Sequence, residues 1–214
     1  MNLANYYWWF EAALSTKFCD DVIKLAKTKK EELALTGGQG SGRDIEAQPL
    51  SDKELKDLKK KRDSNIVWMS DRWIYDEIFP YIHTANRSSG WNFEFDFGEN
   101  FQFTKYTEGQ YYDWHCDSWD RPYTGEKHGK NYIGKIRKLS ATINLSSADE
   151  YEGGCLEFDL RNKDPGQPTK MTASETRSKG SVIVFPYHLW HRVTPVTKGT
   201  RYSLVLWCLG KPFR

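Results

Sequence analysis

The chain has 214 residues, with 31 Lys and Arg against 29 Asp and Glu, and a formal charge of +2. Hydrophobic residues make up 38% and charged residues 28%, which excludes a membrane-embedded bundle. The balanced charge argues against a protein devoted to binding nucleic acid phosphates. The N-terminus lacks a basic start and a long apolar segment, so we expect no secretory signal, no membrane association and a cytoplasmic protein.

The first 90 residues are predicted to be mainly helical. Ser15 is a suitable N-cap for a helix that ends near Lys30, and a short charged helix is predicted over residues 51–62. A third helix is predicted over residues 71–85, with Pro80 as a kink or an end. We therefore expect residues 1–90 to form an N-terminal helical flank that packs on the remainder of one compact domain.

Two features of the chain indicate no site. A glycine-rich segment at residues 37–43 lacks the Gly-Lys-Ser/Thr ending of phosphate-binding loops. The four cysteines are scattered, without any Cys-x-x-Cys pair, which argues against a zinc knuckle or a disulfide scaffold; they are Cys19, Cys116, Cys155 and Cys208.

After Gly90 the pattern changes to short segments of alternating polarity. Such alternation is typical of half-buried strands, and the spacing favours a jelly roll or barrel over βαβ units. The predicted strands are Trp91–Phe97, Phe101–Tyr106, Ser140–Leu145, Cys155–Leu160, Ser181–Phe185, His191–Pro195 and Tyr202–Cys208. Residues 91–214 are thus predicted to form the β core.

Candidate metal ligands lie in two parts of this core. In an extended segment, His115 and Asp117 project to the same side. Two His and one carboxylate are the ligand set of non-haem Fe(II) enzymes. Strand alternation favours His191 as the third ligand over the other histidines, which are His83, His128 and His188.

A cationic group is predicted beside this site. On the last strand Arg201, Ser203, Val205 and Trp207 share one face. A buried guanidinium needs an anionic partner, which a dicarboxylate ligand would provide.

Four ordered blocks of the sequence resemble a known family. Residues 106–117, with Tyr-Asp-Trp-His-Cys-Asp at their end, 151–158, 180–186 and 191–204 look like the prolyl 4-hydroxylase type of Fe(II)- and 2-oxoglutarate-dependent dioxygenase. The resemblance spans roughly residues 91–214. It implies a double-stranded β-helix (jelly roll), mainly β, with flanking helices.

The resemblance also implies roles for individual residues. His115, Asp117 and His191 fall on the iron ligands, and Arg201 falls on the residue that pairs with the distal carboxylate of 2-oxoglutarate. Further cosubstrate contacts are implied for Tyr106, Ser203, Thr142 and Asn144. The implied cofactors are Fe(II), 2-oxoglutarate and O2, with ascorbate as a reductant.

The leading functional hypothesis is hydroxylation of prolyl residues in a peptide or protein, with release of succinate and CO2. The same chemistry on a free amino acid, another side chain or a methylated nucleobase is the alternative, and the small net charge argues against nucleic acid. A silent β-barrel binding protein and a zinc hydrolase are further alternatives. The sequence does not indicate an oligomeric state.

A long segment rich in Gly, Lys and aromatic residues, 118–135, follows Asp117 directly. Long loops beside a reactive centre are often lids. We expect this loop to close over an extended proline-containing peptide.

Overall fold

The structure is a computed structural model that describes residues 2–36, 49–117, 121–124, 129–161, 166 and 168–213. The glycine-rich segment 37–43 and parts of the loop 118–135 lie outside the described residues. Every helix within the described ranges is too short or too polar to cross a bilayer. The four cysteines, all among the described residues, form no disulfide. Burial raises the pKa of the Cys19 thiol to about 11.

Three α-helices lie in the first half of the described chain: α1 (Thr16–Lys27), α2 (Asp52–Lys59) and α3 (Arg72–Ser88). Ser15 caps α1 as predicted, because its side chain accepts a hydrogen bond from the backbone N–H of Phe18. A reciprocal capping box between Ser51 and Glu54 begins α2. Both helices end about three residues earlier than predicted.

Pro80, predicted to kink or end the third helix, does not end α3 but lies inside it. The buried residues Ile74, Ile78 and Ile82 recur at helical spacing on both sides of the proline. Their burial against the sheet holds the helix together across the hydrogen bond that Pro80 cannot donate.

The strands of the described chain, in order, are β1 (Trp8–Phe10), β2 (Glu32–Leu33), β3 (Arg62–Asp63), β4 (Asn65–Met69), β5 (Phe97–Gly98), β6 (Phe101–Tyr106), β7 (Tyr111–His115), β8 (Ile136–Asn144), β9 (Tyr151–Gly153), β10 (Leu156–Asp159), β11 (Lys170–Thr172), β12 (Val182–Pro186), β13 (Trp190–Val193), β14 (Val196–Gly199) and β15 (Arg201–Gly210). The prediction for β6 is confirmed at both ends, and the other predicted core strands, apart from Trp91–Phe97, agree within a few residues.

These strands form two facing antiparallel sheets. The large sheet has the order β1-β12-β8-β15-β6-β4-β2, with β5 on β15, and the small sheet has the order β11-β10-β13-β7-β3. Strands β9 and β14 form a separate pair. Across the interior, Phe158 of the small sheet meets Phe185 of the large sheet, with ring centroids 5.1 Å apart. The predicted jelly roll with flanking helices is confirmed.

The two faces of the large sheet differ in polarity. Its outer face packs on the helices through an apolar cluster that includes Leu204, Leu206 and the three isoleucines of α3. Its inner face carries buried polar side chains, namely Gln102, Thr104, Ser140, Asn144, Arg201 and Ser203. This inner polar face is the part of the fold that positions the candidate site.

The first 90 residues supply strands as well as helices, which the sequence did not predict. Strands β1, β2 and β4 join the large sheet, and β3 forms the edge of the small sheet. These segments are short and lie next to a charged helix, so their alternation is hard to recognise in the sequence. The helical flank therefore also completes both sheets.

The predicted strand Trp91–Phe97 is wrong for most of its length, because only Phe97 and Gly98 pair with β15. The side-chain amide of Asn86 donates to the carbonyl of Phe93 and accepts from its backbone N–H. A helix side chain thus occupies the hydrogen-bonding positions that a neighbouring strand would have used.

The turn at Gly153 gives a stability prediction. Gly153 has φ +71°, and a Cβ there would lie 2.2 Å from the carbonyl oxygen of Pro195. Gly109 has a similar φ of +82°, but a Cβ there would have nothing within 4 Å. We expect Gly109→Ala to cost about 1–2 kcal/mol of unfolding free energy and Gly153→Ala about 3 kcal/mol or more, measured by urea denaturation. Equal losses would contradict the close contact.

Candidate metal centre

Two residues of the small sheet and one from the segment that follows β7 meet between the two sheets. His115 ends β7, Asp117 follows two residues later, and His191 lies in β13 directly opposite His115. One ligand atom from each lies within 4.8 Å of the other two. The structure thus brings together the triad that the sequence predicted, and it is the kind of donor set that binds a divalent metal ion.

Backbone contacts fix both imidazoles. Nδ1 of His115 lies 2.7 Å from the carbonyl oxygen of Asp113, and Nδ1 of His191 lies 2.9 Å from that of Leu189. Because a carbonyl only accepts hydrogen bonds, each Nδ1 carries the proton and each Nε2 is left as the metal-binding atom. Nε2 of His191 accordingly lies 3.7 Å from Oδ2 of Asp117.

Electrostatics keep His115 and Asp117 in their metal-binding protonation states. Burial, followed by the charge of His191, lowers the pKa of His115 to about 3, so its imidazole is neutral at pH 7. Burial by itself would raise the pKa of Asp117, but His191, His115 and Arg137 lower it below its ordinary value. A neutral imidazole and an ionised carboxylate are the forms that bind metals.

Asp117 is held in place from the opposite sheet. Its backbone N–H donates to the carbonyl of Tyr187, 2.9 Å away. The hydroxyl of Ser140, a fully buried residue of β8, donates to Oδ2 at 2.6 Å. Ser140 was not predicted, although it precedes Thr142 by two residues on the same strand face.

Ser140→Ala removes one support of the carboxylate without removing the carboxylate. We expect metal affinity to fall about 10- to 100-fold, as is typical when a partner of a metal ligand is lost, measured by calorimetric titration with Fe(II) under argon. The matched control is Ser181→Ala, since Ser181 is equally buried but accepts from Ala12 at the far edge of the sheet. Equal metal affinity in the two variants would contradict the role of Ser140.

A buried ion pair flanks Asp117. Arg137 donates to both carboxylate oxygens of Glu99, at 2.6 and 2.9 Å, and its Nη1 lies 3.8 Å from Oδ1 of Asp117. Its guanidinium also lies 3.8 Å from the ring centroid of Trp207. Burial by itself would lower the pKa of Arg137, but the charge of Glu99 and the hydrogen bonds to it raise that pKa above its ordinary value. This fixed cation therefore helps to keep Asp117 ionised.

The predicted cationic group, Arg201, lies at the start of β15, which pairs with β6. Arg201 is only 3% exposed, lies 5.7 Å from the ring centroid of Tyr106 and donates to Oγ of Ser203 at 3.3 Å. Within the described chain it has no carboxylate within 4 Å. Gly154 leaves room for it, because a Cβ there would lie 2.9 Å from Cδ of Arg201.

The strand register aligns the other predicted contacts with Arg201. Tyr106 is directly opposite Arg201, Asn144 opposite Ser203, and Thr142 opposite Val205. Asn144 donates through Nδ2 to the carbonyls of Ser146 and Arg177, which leaves its oxygen facing the interior.

The competing histidine of the same region lies apart from this cluster. His188 is exposed and outside the triad. The structure therefore places His191, rather than His188, beside His115 and Asp117.

Several buried polar atoms of the inner face have no hydrogen-bond partner among the described residues. They are Oγ1 of Thr104, Oδ1 of Asn144 and Nε1 of Trp207. Thr104 and Asn144 flank Ser203 on the adjacent strands. Because buried polar groups normally find partners, the Thr104 hydroxyl and the guanidinium of Arg201, whose charge has no acidic partner in the described chain, fit a polar, anionic ligand such as 2-oxoglutarate. The triad and these polar side chains therefore suit the metal and the cosubstrate that the sequence resemblance implied.

Fold and site together define a jelly roll with a 2-His-1-carboxylate centre, and comparison with known proteins identifies the family. A family model described as the 2OG-Fe(II) oxygenase superfamily matches residues 101–209. The chain belongs to this superfamily. The ligand triad and Arg201 all lie within the matched stretch.

Curated relatives agree with this assignment. A PKHD-type hydroxylase from Cupriavidus pinatubonensis is 33% identical over 107 residues, which are 49% of this chain and 40% of that protein. Another from Delftia acidovorans is 40% identical over 74 residues, 34% of this chain and 29% of that protein. The match thus spans less than half the length of these relatives.

Solved structures share the fold over nearly the whole chain. A prolyl-4-hydroxylase from Pseudomonas putida has a TM-score of 0.63 at 16% identity, covering 98% of this chain and 96% of its own. A viral collagen prolyl hydroxylase from Paramecium bursaria Chlorella virus-1, in complex with 2OG, has a TM-score of 0.60 at 20% identity, covering 96% of both chains.

Proposed function

We propose that the protein is an Fe(II)- and 2-oxoglutarate-dependent dioxygenase that hydroxylates prolyl residues of a peptide or protein, releasing succinate and CO2. One observation carries the proposal: the His-Asp-His cluster shares its interior with the buried Arg201, which has no acidic partner in the described chain. A hydrolase metal site has no need of such a cation, so this pairing favours the oxygenase over the zinc hydrolase.

The chain's own residues would bind and orient the reactants. Nε2 of His115, Nε2 of His191 and the carboxylate of Asp117 would hold the metal, and Arg201 with Ser203 would bind the distal carboxylate of the cosubstrate. When bound, iron, 2-oxoglutarate and O2 would supply the oxidising chemistry that replaces a C–H bond by C–OH. Apolar side chains such as Phe158 and Phe185 exclude water from this centre.

Support for prolyl specificity comes from the solved prolyl hydroxylase structures that share the fold and from two aromatic side chains, Trp68 and Trp207. Trp68, which is 42% exposed, lies 6.5 Å from Trp207, measured between ring centroids. Aromatic side chains of this kind bind the rigid ring of proline. The loop 118–135 stays a predicted lid, and its described part contacts the site where the hydroxyl of Tyr123 donates to Glu99 at 3.1 Å.

Succinate release in the presence of Fe(II), 2-oxoglutarate and ascorbate tests the proposal. The panel contains proline peptides, matched peptides with alanine in place of proline, free amino acids and methylated nucleobases, and mass spectrometry locates the new hydroxyl group. We expect hydroxyproline and an equal amount of succinate, both absent with Asp117→Ala. Iron-dependent oxidation of a panel member that contains no proline ring would overturn the prolyl substrate, and absence of both 2-oxoglutarate binding and succinate release would overturn the whole proposal.

A further inference from the structure

A further buried guanidinium faces the same interior from the small sheet. Arg62, in β3, is only 4% exposed. Its Nε donates to Oγ of Ser64 at 2.8 Å and its Nη2 to Oε1 of Gln102, on the inner face of the large sheet, at 2.7 Å. Both of these partners are neutral. In the described chain no carboxylate lies within 4 Å of this cation.

Arg62 lies close to the metal ligands. Its guanidinium is 4.5 Å from the ring centroid of Tyr112, and the Tyr112 ring stacks on His115 with centroids 3.5 Å apart and planes 13° apart. One aromatic ring therefore contacts both the cation and a metal ligand. A group bound to Arg62 would lie beside the centre at which oxidation takes place.

Among the described residues, the charges around the centre do not balance without a further anion. Arg137 is neutralised by Glu99, and Arg201 by the dicarboxylate assigned to it above. The second carboxylate of that ligand and Asp117 match the two charges of a divalent metal. Arg62 is left over, and an uncompensated buried charge is strongly unfavourable.

The N–H groups of Arg62 that have no partner among the described residues also favour an anionic ligand. Nε and Nη2 have partners, so the remaining N–H groups of the guanidinium are available to an acceptor. The indole Nε1 of Trp207, another buried donor of the same interior, has no partner in the described chain. A carboxylate fits such donors better than a neutral carbonyl, because it brings both acceptor oxygens and the missing charge.

We propose that Arg62 is the substrate-binding residue for a free α-carboxylate. This proposal rests on the proposed function and narrows it: the prolyl group that is oxidised is terminal, at the C-terminus of a peptide or as free proline. A terminal carboxylate ends at the buried guanidinium. An internal prolyl residue has no free carboxylate there. The peptide chain that follows it would have to turn back out of this buried position.

The test compares substrates that differ only at the carboxyl group. A peptide ending in proline is supplied as the free acid, as the C-terminal amide and extended by one alanine, beside free proline and prolinamide. KM and calorimetric affinity are measured on protein loaded with Fe(II) and 2-oxoglutarate. We expect the acids to bind about 10- to 100-fold more tightly than their amides. The peptide and free-proline arms identify which source of the carboxylate is used.

Arg62→Gln keeps side-chain donors but removes the charge. We expect this variant to lose the preference for acid over amide, whereas Arg62→Lys keeps part of it; a purely structural role would weaken both substrates equally. Equal binding of acid and amide by the unaltered protein, binding of no acid, or a raised 2-oxoglutarate requirement in Arg62→Gln would each overturn the proposal. Succinate release with equal use of acid and amide would overturn this inference alone, leaving the proposed function intact.

Discussion

Replacing His191 by alanine is expected to abolish turnover and to weaken Fe(II) binding. The loss of affinity should exceed the roughly 10- to 100-fold that is lost when a residue supporting a metal ligand is removed. The imidazole is held by Leu189 with Nε2 directed at Asp117, so no neighbouring group replaces the lost ligand. Iron affinity is measured by anaerobic calorimetry and turnover by succinate release. A cooperative thermal transition shows that the variant still folds.

The control for this variant is His188→Ala, three residues earlier in the chain. His188 is exposed and does not belong to the ligand cluster. We therefore expect the His188→Ala variant to keep its iron affinity and most of its activity. If His188→Ala lost iron while His191→Ala retained it, the ligand assignment and the register of β13 would both be wrong.

Replacing Arg201 by glutamine is expected to raise the 2-oxoglutarate requirement about 10- to 150-fold, because a charge-assisted contact to a carboxylate is worth roughly 1.5–3 kcal/mol. Metal affinity should change little, since the guanidinium contacts Ser203 and Tyr106 rather than the ligands. Direct titration of 2-oxoglutarate by calorimetry measures this independently of turnover. Tyr106→Phe should shift the requirement in the same direction by less.

Arg192→Gln is the matched control for Arg201. Arg192 follows His191 directly, but it lies on the outer face of the small sheet, where it donates to Glu157 at 2.7 Å and lies 4.8 Å from the ring centroid of Trp114. We expect an unchanged cosubstrate affinity there. An unchanged affinity in Arg201→Gln as well would remove Arg201 from the cosubstrate site.

The sequence by itself determined the fold class, the ligand triad and the cationic strand. Alternation along a strand is a local property, so His115 with Asp117 and Arg201 with Ser203 could be placed on common faces without coordinates. The capped starts of α1 and α2 are local in the same sense, because Ser15 and Ser51 bond to groups three residues ahead.

Only the tertiary structure decided which distant residues contact the side chains on those strand faces. Ser140 reaches Asp117 across 23 positions of chain, Arg137 reaches Glu99 across 38, and Arg62 reaches Gln102 across 40. No periodicity within a segment indicates such pairings, since they depend on which strands become neighbours and on how the two sheets face each other. The failed strand at Trp91–Phe97 has the same cause: its alternation is that of a strand, but Asn86 of α3 occupies the backbone groups that a partner strand would have bonded.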